Sequence, residues 1–255
     1  MTNISIEEPI AWAREAGAVA LRSFNHVAAQ RKPDRSWVTE ADLAIERLLT
    51  TRLAERFPDH GIIGEEQTRR SIDQEFLWAI DPLDGTAVFI AGLPIWGVSL
   101  GLLRHGRPYL GVIYLPLLDD CYWAGPTGGA FWNGQPIHVA EPRPFTGDDW
   151  ISTPSNSHRR YTLDFIGKTR SIGATVGTFC YTARGSAIGA LISKYSIWDV
   201  AAGLAILYAA GGTAIDLAGA PFDCQTILDG RSAESPLLLG APEHAEALRA
   251  VLHPR

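Results

Sequence analysis

Residues 76 to 86 read Phe76-Leu77-Trp78-Ala79-Ile80-Asp81-Pro82-Leu83-Asp84-Gly85-Thr86, an apolar run that leads into two carboxylates and a turn. A run of five apolar residues is too short for a typical helix and is typical of a buried strand. Asp81 is therefore predicted to lie at the carboxyl end of that strand. Ligands in open α/β sheets bind at this edge, so the pattern places a candidate site there.

Pro82 is predicted to bend the chain between the two carboxylates. Its ring fixes φ, so Asp81 and Asp84 can point toward one centre instead of to opposite faces of a strand. Carboxylate and carbonyl oxygens at one centre suit Mg²⁺. Gly85 and Thr86 then offer backbone N–H groups at a predicted helix start, where an anion is favoured. These are the parts of a metal and phosphate site; the alternative is an ordinary Asp-Pro turn with a solvated carboxylate.

The composition predicts a soluble globular protein. With 255 residues, of which 46% are hydrophobic, the chain can bury a substantial core as one large or two small domains. Its net charge of −6 argues against a nucleic-acid partner, because binding phosphates along a nucleic acid requires clustered Lys and Arg.

The three cysteines, Cys121, Cys180 and Cys224, have no paired spacing, so the sequence indicates neither a disulfide framework nor a zinc site. Residues 1–8 are polar and acidic rather than basic and apolar, and no apolar run approaches the length of a membrane span. We therefore expect a cytoplasmic protein without a membrane partner.

Apolar periodicity predicts amphipathic helices over residues 6–27, from Thr39 onward, over residues 199–210 and over residues 242–252. Thr39 with Asp42 three residues later resembles a capping box. Two apolar runs, 95–104 and 109–116, joined by His105-Gly106-Arg107-Pro108, predict an antiparallel sheet in the middle of the chain. The segment Pro142-Arg143-Pro144 is linker-like and predicts domains of residues 1–140 and 141–255.

Four carboxylates follow or begin apolar segments: Glu65, Asp81, Asp84 and Asp199. Ionised groups in such places are seldom buried without a partner, and a metal cluster would provide one. Glu65 and Asp199, and also Asp42, have a simpler interpretation. Glu65 fits a loop carboxylate, Asp199 fits a helix N-cap, and Asp42 fits the capping partner of Thr39.

Several motifs, in order and over nearly the full length, resemble those of the inositol monophosphatase superfamily: Thr39-Glu40-Ala41-Asp42, Gly64-Glu65-Glu66, Asp81-Pro82-Leu83-Asp84-Gly85-Thr86, Gly128-Gly129-Ala130-Phe131 with Asn133-Gly134, Arg170-Ser171-Ile172-Gly173 and Trp198-Asp199-Val200-Ala201-Ala202-Gly203. The resemblance implies a mixed α+β or α/β fold, a layered α/β/α/β/α sandwich of the inositol monophosphatase and fructose-1,6-bisphosphatase type. It also implies Mg²⁺ dependence, lithium sensitivity and a homodimer.

The same resemblance implies roles for individual residues. One Mg²⁺ ion would take Glu65, Asp81 and the carbonyl of Leu83, and a second would take Asp81, Asp84 and Asp199. Asp42 would hold a third, weaker ion through water. Thr86 would orient the attacking water and Glu65 would deprotonate it. The N–H groups of Gly85 and Thr86 would bind the phosphate, and Asp84 and Asp199 would lie beside the phosphate. By this resemblance the chain hydrolyses a small soluble phosphorylated metabolite by metal-activated attack of water on a phosphomonoester.

One position departs from the pattern of the members that hydrolyse inositol phosphates. Those members carry a Glu seven residues before the last metal-binding Asp, whereas this chain carries Ile192. The contact to a polyol is therefore missing. Lys194 and Tyr195 are candidates for binding a different leaving group, and the alternative is that this segment is a packed strand.

Three alternatives stay open from the sequence. Histidinol phosphate and 3′-phosphorylated adenosine nucleotides are the other substrates within the superfamily, which correspond to a histidinol-phosphate phosphatase and a 3′(2′),5′-bisphosphate nucleotidase. Four aromatic residues fit either a pocket for an imidazole or adenine ring or the core: Phe89, Trp96, Phe179 and Tyr181. The third alternative is a regulatory or binding module without catalysis on the same fold.

Overall fold

The computed structural model describes residues 4–26, 28–33, 36–233 and 235–255. The α-helices in these ranges are α1 (Glu7–Ser23), α2 (Glu40–Arg56), α3 (Thr86–Ile90), α4 (Thr175–Ala183), α5 (Ile197–Ala209) and α6 (Pro242–Val251). The strands are β1 (Ala29–Arg31), β2 (Trp37–Thr39), β3 (Gly61–Gly64), β4 (Arg69–Arg70), β5 (Phe76–Asp84), β6 (Gly97–Arg104), β7 (Arg107–Leu115), β8 (Asp120–Ala124), β9 (Ala130–Trp132), β10 (Gln135–Ile137), β11 (Trp150–Ser152), β12 (Tyr161–Leu163), β13 (Lys168–Arg170), β14 (Gly189–Ile192), β15 (Thr213–Ile215), β16 (Leu237–Gly240) and β17 (Leu252–Pro254).

The larger sheet has eight strands in the order β10-β9-β8-β7-β6-β5-β3-β4. Strands β3 and β5 are parallel, and the other neighbours in this sheet are antiparallel. The turn between β6 and β7 places His105 and Gly106 at φ of 50° and 73°. Two successive positive φ values are typical of tight hairpins. The antiparallel pairing of β6, β7 and β8 confirms the predicted antiparallel sheet in the middle of the chain.

The second sheet has five strands in the order β13-β11-β14-β16-β15. Strand β11 pairs in parallel with β13 and β14, whereas β16 pairs antiparallel with β14 and β15. Two short pairs, β1 with β2 and β12 with β17, lie outside both sheets.

Among the described residues, three apolar clusters hold the layers together. Helices α1 and α2 cover one face of the larger sheet, where Leu49 packs in one cluster with Trp78 and Ile80. Leu77 and Ala79, which alternate with them along β5, lie in a second cluster with α4 and α5 between the two sheets. Helix α6 covers the outer face of the smaller sheet. The predicted α/β/α/β/α sandwich is confirmed, and burial on both faces explains the continuous apolar run of β5.

Helix α5 lies directly on the backbone of the larger sheet. A Cβ atom at Gly111 would lie 2.3 Å from the carbonyl oxygen of Ala202, and one at Gly101 would lie 2.5 Å from the Cβ of Ala201. These glycines permit a close approach that any side chain would block. The approach fixes the height of the first turn of α5, which carries Asp199, above strands β6 and β7.

The structure corrects three predicted boundaries. Strand β5 continues to Asp84 instead of ending at Asp81. Its pairing with β6 is interrupted between Asp81 and Asp84, so Pro82 removes no ladder hydrogen bond there. Helix α1 ends at Ser23, and the predicted end, Val27, lies outside the described residues. Helix α5 begins at Ile197 with Ser196 as its N-cap, so the N-cap interpretation of Asp199 is wrong.

The boundary near residue 140 stays a prediction. The cluster between the two sheets includes Leu77 from one side of that boundary and Phe179 from the other. None of the helices within the described ranges combines the length and the apolar character needed to cross a membrane.

Candidate active site

Three carboxylates from two elements meet between the larger sheet and α5. Asp81, Asp84 and Asp199 each place one carboxylate oxygen within 4.8 Å of the others. Asp81 is 1% exposed and Asp84 is 7% exposed. The interrupted pairing in β5 lets its two carboxylates face the same side, whereas strict strand alternation over three positions would direct them to opposite faces.

The charged forms of these carboxylates are disfavoured where they lie. Burial raises the pKa of Asp81 well above its usual range, and the charges of Glu65 and Asp84 raise it further. Burial raises the pKa of Asp84 to about 7, although the backbone N–H of Val176 opposes the shift. Burial and then Asp84 raise the pKa of Asp199, while the charge of Lys194 opposes that shift. A divalent cation bound to these oxygens would relieve this repulsion.

Backbone donors orient each member of this cluster. The N–H of Leu83 donates to Oδ1 of Asp81 at 3.0 Å. The N–H of Val176, in the first turn of α4, donates to Oδ2 of Asp84 at 2.8 Å. The N–H of Ser196, the N-cap of α5, donates to Oδ2 of Asp199 at 2.5 Å. The cluster is therefore held in place by the backbone rather than by side-chain cations.

Glu65 follows β3, and its N–H donates to the carbonyl of Ile80 at 3.1 Å. Its carboxylate accepts a hydrogen bond from Nζ of Lys32 at 2.9 Å, and the same ammonium lies 2.7 Å from Oε1 of Glu66. Burial lowers the pKa of Lys32, but the two carboxylates outweigh it and raise that pKa. Glu65 thus lies next to the cluster, close enough for its charge to raise the pKa of Asp81. Within the described part of the chain it is paired, unlike the three aspartates, with a side-chain cation, Lys32.

Glu46 shapes the loop that carries Glu65, a role that the sequence did not reveal. The residue is 3% exposed, and its carboxylate accepts hydrogen bonds of 2.8 Å from the N–H groups of Glu66, Gln67 and Thr68. The available signal was its position in α2, one turn after Asp42 and therefore on the same face of the helix.

Asp42 caps its own helix and also contacts Thr86. Its Oδ2 accepts from the backbone N–H of Thr39 at 2.8 Å and from the Thr39 hydroxyl at 2.5 Å, which confirms the predicted capping box. Its Oδ1 lies 3.3 Å from the hydroxyl of Thr86, which also lies 3.1 Å from the carbonyl oxygen of Leu83. Burial raises the pKa of Asp42 to about 6. The capping role and a role beside Thr86 are therefore compatible.

Gly85 adopts a backbone conformation that favours glycine. Its φ is 85°, and a Cβ atom there would lie 2.8 Å from the Cβ of Ala174. This left-handed residue turns the chain from β5 into α3, which starts at Thr86.

A cavity of about 280 Å³ lies beside the carboxylates, against the start of α4 and the end of β14. It is lined by Thr153, Pro154, Ser155, Asn156, Ser171, Gly173, Ala174, Thr175, Thr178, Leu191, Ile192, Ser193 and Lys194. Ile192 is 5% exposed and belongs to β14, so the packed-strand interpretation holds for this residue. The side chain of Tyr195 is buried against Phe222, with ring centroids 5.5 Å apart.

Three of the four aromatic candidates for a ring-binding pocket pack in the interior instead. Phe89, Trp96 and Phe179 have no exposed surface and belong to the core clusters. Tyr181 is partly buried and packs edge-on against Trp150. These residues follow the more common behaviour of aromatic rings among apolar neighbours.

The chain has clear relatives. The model of the inositol monophosphatase family matches residues 5–253. A fructose-1,6-bisphosphatase/inositol-1-monophosphatase from Aquifex aeolicus is 33% identical over 220 residues, which cover 82% of this chain and 83% of the relative. A histidinol-phosphatase from Chlorobaculum parvum is 36% identical over 228 residues, which cover 86% of each chain.

The solved structure of an IMPase from Thermotoga maritima has the same fold. It superposes with a TM-score of 0.84 at 24% identity over 96% of this chain and 95% of that one. The family resemblance and the layered fold expected from the sequence motifs are both confirmed.

Proposed function

Because the chain belongs to the inositol monophosphatase family, we propose that it hydrolyses a phosphate monoester of a small metabolite by metal-assisted attack of water. The observation that carries this proposal is the convergence of Asp81, Asp84 and Asp199, three carboxylates with raised pKa values, at one point. A cluster of this kind with no function would only lower the stability of the fold, because it brings like charges together away from water.

The candidate metal ligands fit Mg²⁺, since each is a carboxylate or carbonyl oxygen. By the family resemblance, Glu65, Asp81 and the carbonyl of Leu83 would hold one ion. Asp81, Asp84 and Asp199 would hold a second, and Asp42 would hold a third through water. Bound Mg²⁺ supplies a water of lowered pKa and stabilises negative charge on the leaving oxygen.

Thr86 would orient the attacking water. Its hydroxyl proton has acceptors at Asp42 Oδ1 and the Leu83 carbonyl, so the lone pairs of Oγ1 remain free to accept a hydrogen bond from water. Glu65 lies beside the cluster and would take the proton of that water, and Lys32 would steady the carboxylate through its 2.9 Å contact. The backbone N–H groups of Gly85 and Thr86 would bind the phosphate.

The names of the relatives define the range of substrates to test. They include phosphates of a sugar, of inositol and of histidinol. Histidinol phosphate is the second candidate, because its relative aligns over most of this chain. An adenosine bisphosphate receives less support, since Phe89, Trp96 and Phe179 are in the core.

The family resemblance supports two further expectations, inhibition by lithium and a homodimer. The three cysteines without paired spacing fit a reducing, cytoplasmic location, and the net charge of −6 disfavours a nucleic-acid partner. A non-catalytic module of the same fold is the competing class, and the presence of Glu65, Asp81, Asp84 and Asp199 disfavours it.

Phosphate release tests the proposal. We expect release from at least one of inositol 1-phosphate, fructose 1,6-bisphosphate, histidinol phosphate, adenosine 3′,5′-bisphosphate and glycerol phosphate with Mg²⁺ present, and none after chelation. Circular dichroism would verify that the protein is folded in each case. Folded protein that releases phosphate from none of them with Mg²⁺ would favour the non-catalytic module.

A further inference from the structure

The cavity beside the carboxylate cluster has an unusual charge balance. Its polar lining consists of Lys194, an exposed residue, the amide of Asn156 and hydroxyl side chains from Thr153, Ser155, Ser171, Thr175, Thr178 and Ser193. None of the described residues that line it carries a carboxylate or an aromatic ring. The lining therefore offers hydrogen-bonding groups and one positive charge, and the nearest negative charges belong to the adjoining carboxylate cluster.

Lys194 differs from the other two lysines of the chain. Lys32 contacts Glu65 and Glu66, and Lys168 lies 3.1 Å from Asp148 on the surface. Within the ranges that the structure describes, Lys194 forms no ion pair, although its charge acts on Asp199. A lysine that lines a cavity and forms no ion pair is available to an anionic ligand.

The cavity also opens next to the reacting centre. Ala174 and Thr175 line it, and the next residue, Val176, donates to Asp84. On the other wall, Ser193 and Lys194 precede the Ser196–Asp199 capping box by only a few residues. A phosphate held at the carboxylate cluster would therefore direct its leaving group into this cavity, whose volume of about 280 Å³ suits a small molecule.

We propose that Lys194 determines specificity by binding a second anionic group, a phosphate or a carboxylate, on the leaving group of the substrate. This inference rests on the proposed phosphatase function. Leaving groups that carry an ammonium are disfavoured, because the cavity places Lys194 against them and offers no carboxylate. A neutral polyol can form hydrogen bonds with the hydroxyl groups of the lining, but it offers no negative charge to Lys194.

Matched pairs of esters test this inference. The first pair is fructose 1,6-bisphosphate and fructose 1-phosphate, and the second is 3-phosphoglycerate and glycerol 3-phosphate. Histidinol phosphate represents a cationic leaving group. We expect the protein with Mg²⁺ to have a higher kcat/KM for the ester with the second anion in at least one pair. The pair that shows the preference identifies whether the anion is a phosphate or a carboxylate.

Variants of Lys194 connect the preference to this residue. Lys194→Ala should lower the ratio of kcat/KM within the discriminating pair by about 10- to 100-fold, mainly through a higher KM for the anion-bearing ester. Lys194→Glu should shift the preference toward histidinol phosphate. Lys168→Ala, a change at an exposed lysine outside the cavity, is the matched control and should leave the ratio as it is.

The outcomes separate this inference from the function on which it rests. Equal kcat/KM values within both pairs, or a ratio that Lys194→Ala leaves unchanged, would overturn the role of Lys194 while the phosphatase function stands. Absence of Mg²⁺-dependent release from every ester by folded protein would overturn the phosphatase function, and this inference with it.

Discussion

The backbone N–H of Val176 donates a 2.8 Å hydrogen bond to Oδ2 of Asp84, a residue 92 positions earlier in the chain. Val176 lies in the first turn of α4, where the unpaired N–H groups of the helix carry partial positive charge. This contact orients a carboxylate of the larger sheet from a helix packed between the two sheets. The geometry of the carboxylate cluster therefore depends on residues from both parts of the chain.

Asp84→Asn should separate catalysis from folding. The amide keeps an oxygen for the Val176 N–H but loses the charge that a cation requires, so we expect metal-dependent phosphate release to fall by about 100-fold or more. The same change removes one of several repelling carboxylates, so without divalent metal the melting temperature should rise. Phosphate assays and thermal unfolding with a chelator would measure both effects.

Asp148→Asn is a matched control for that substitution, because Asp148 is fully exposed on the surface. It should leave both quantities close to those of the unchanged protein. Near-normal phosphate release by Asp84→Asn would remove Asp84 from the metal site.

The metal-free protein should lose stability as the pH rises. The folded-state pKa values of Asp42 and Asp84 are raised from 3.8 to about 6 and about 7. A carboxyl with a raised folded-state pKa stabilises the fold when it is protonated, and that contribution is lost as the pH rises through the folded-state pKa. With a chelator present, we expect the free energy of unfolding to fall on the order of 1 kcal/mol per pH unit between about pH 5 and 7.

Thermal and urea unfolding at several pH values would measure this slope, and millimolar Mg²⁺ should flatten it. The Asp84→Asn protein should show a shallower slope, because one of the titrating groups is absent. A stability that increases between these pH values in the chelated protein would contradict the raised pKa values that we assign to the burial of Asp42 and Asp84.

The hydroxyl of Thr86 should be required for turnover. Thr86→Val keeps the shape of the side chain but removes the group that contacts Asp42, so we expect kcat to fall by about 100-fold or more. Thr86→Ser keeps the hydroxyl and should retain kcat to within about tenfold. Steady-state kinetics on the best substrate would compare the three proteins, and equal kcat values for Val and Ser would exclude a role for the hydroxyl in orienting water.

Ile192→Glu should raise activity toward inositol phosphates. The new carboxylate would enter the lining of the cavity and offer acceptors to the hydroxyl groups of a polyol. We expect kcat/KM for inositol 1-phosphate to rise by about tenfold relative to Ile192→Val, which keeps an apolar side chain. A melting curve would verify that each variant folds; no change in kcat/KM by a folded Ile192→Glu protein would mean that Ile192 does not face the leaving group.

Local rules predicted the features that depend on neighbours in sequence. The capping box of Thr39 and Asp42 and the hairpin at His105 and Gly106 follow from residues a few positions apart. The motif resemblance supplied the five-layer fold as well. The continuation of β5 past Pro82 was missed, because it depends on where β6 stops pairing, which the sequence of β5 alone does not contain.

Contacts between distant segments could not be predicted from spacing. The approach of Asp199 to Asp81 depends on how α5 packs on the larger sheet, and the hydrogen bond from Val176 to Asp84 depends on the placement of α4. Glu46 was missed for a related reason. A charged residue within an amphipathic helix resembles a solvated one until the loop that it binds is in place.

The contact of α5 with Gly101 and Gly111 has a thermodynamic consequence. An ion bound by Asp81 and Asp84 of the sheet and by Asp199 of the helix would bridge two layers that touch through backbone atoms. Binding of that ion and docking of the helix are then linked equilibria, so each strengthens the other. A substitution that weakens the packing of α5 on the sheet should therefore lower the affinity for the cation, even when it lies far from any metal-binding oxygen.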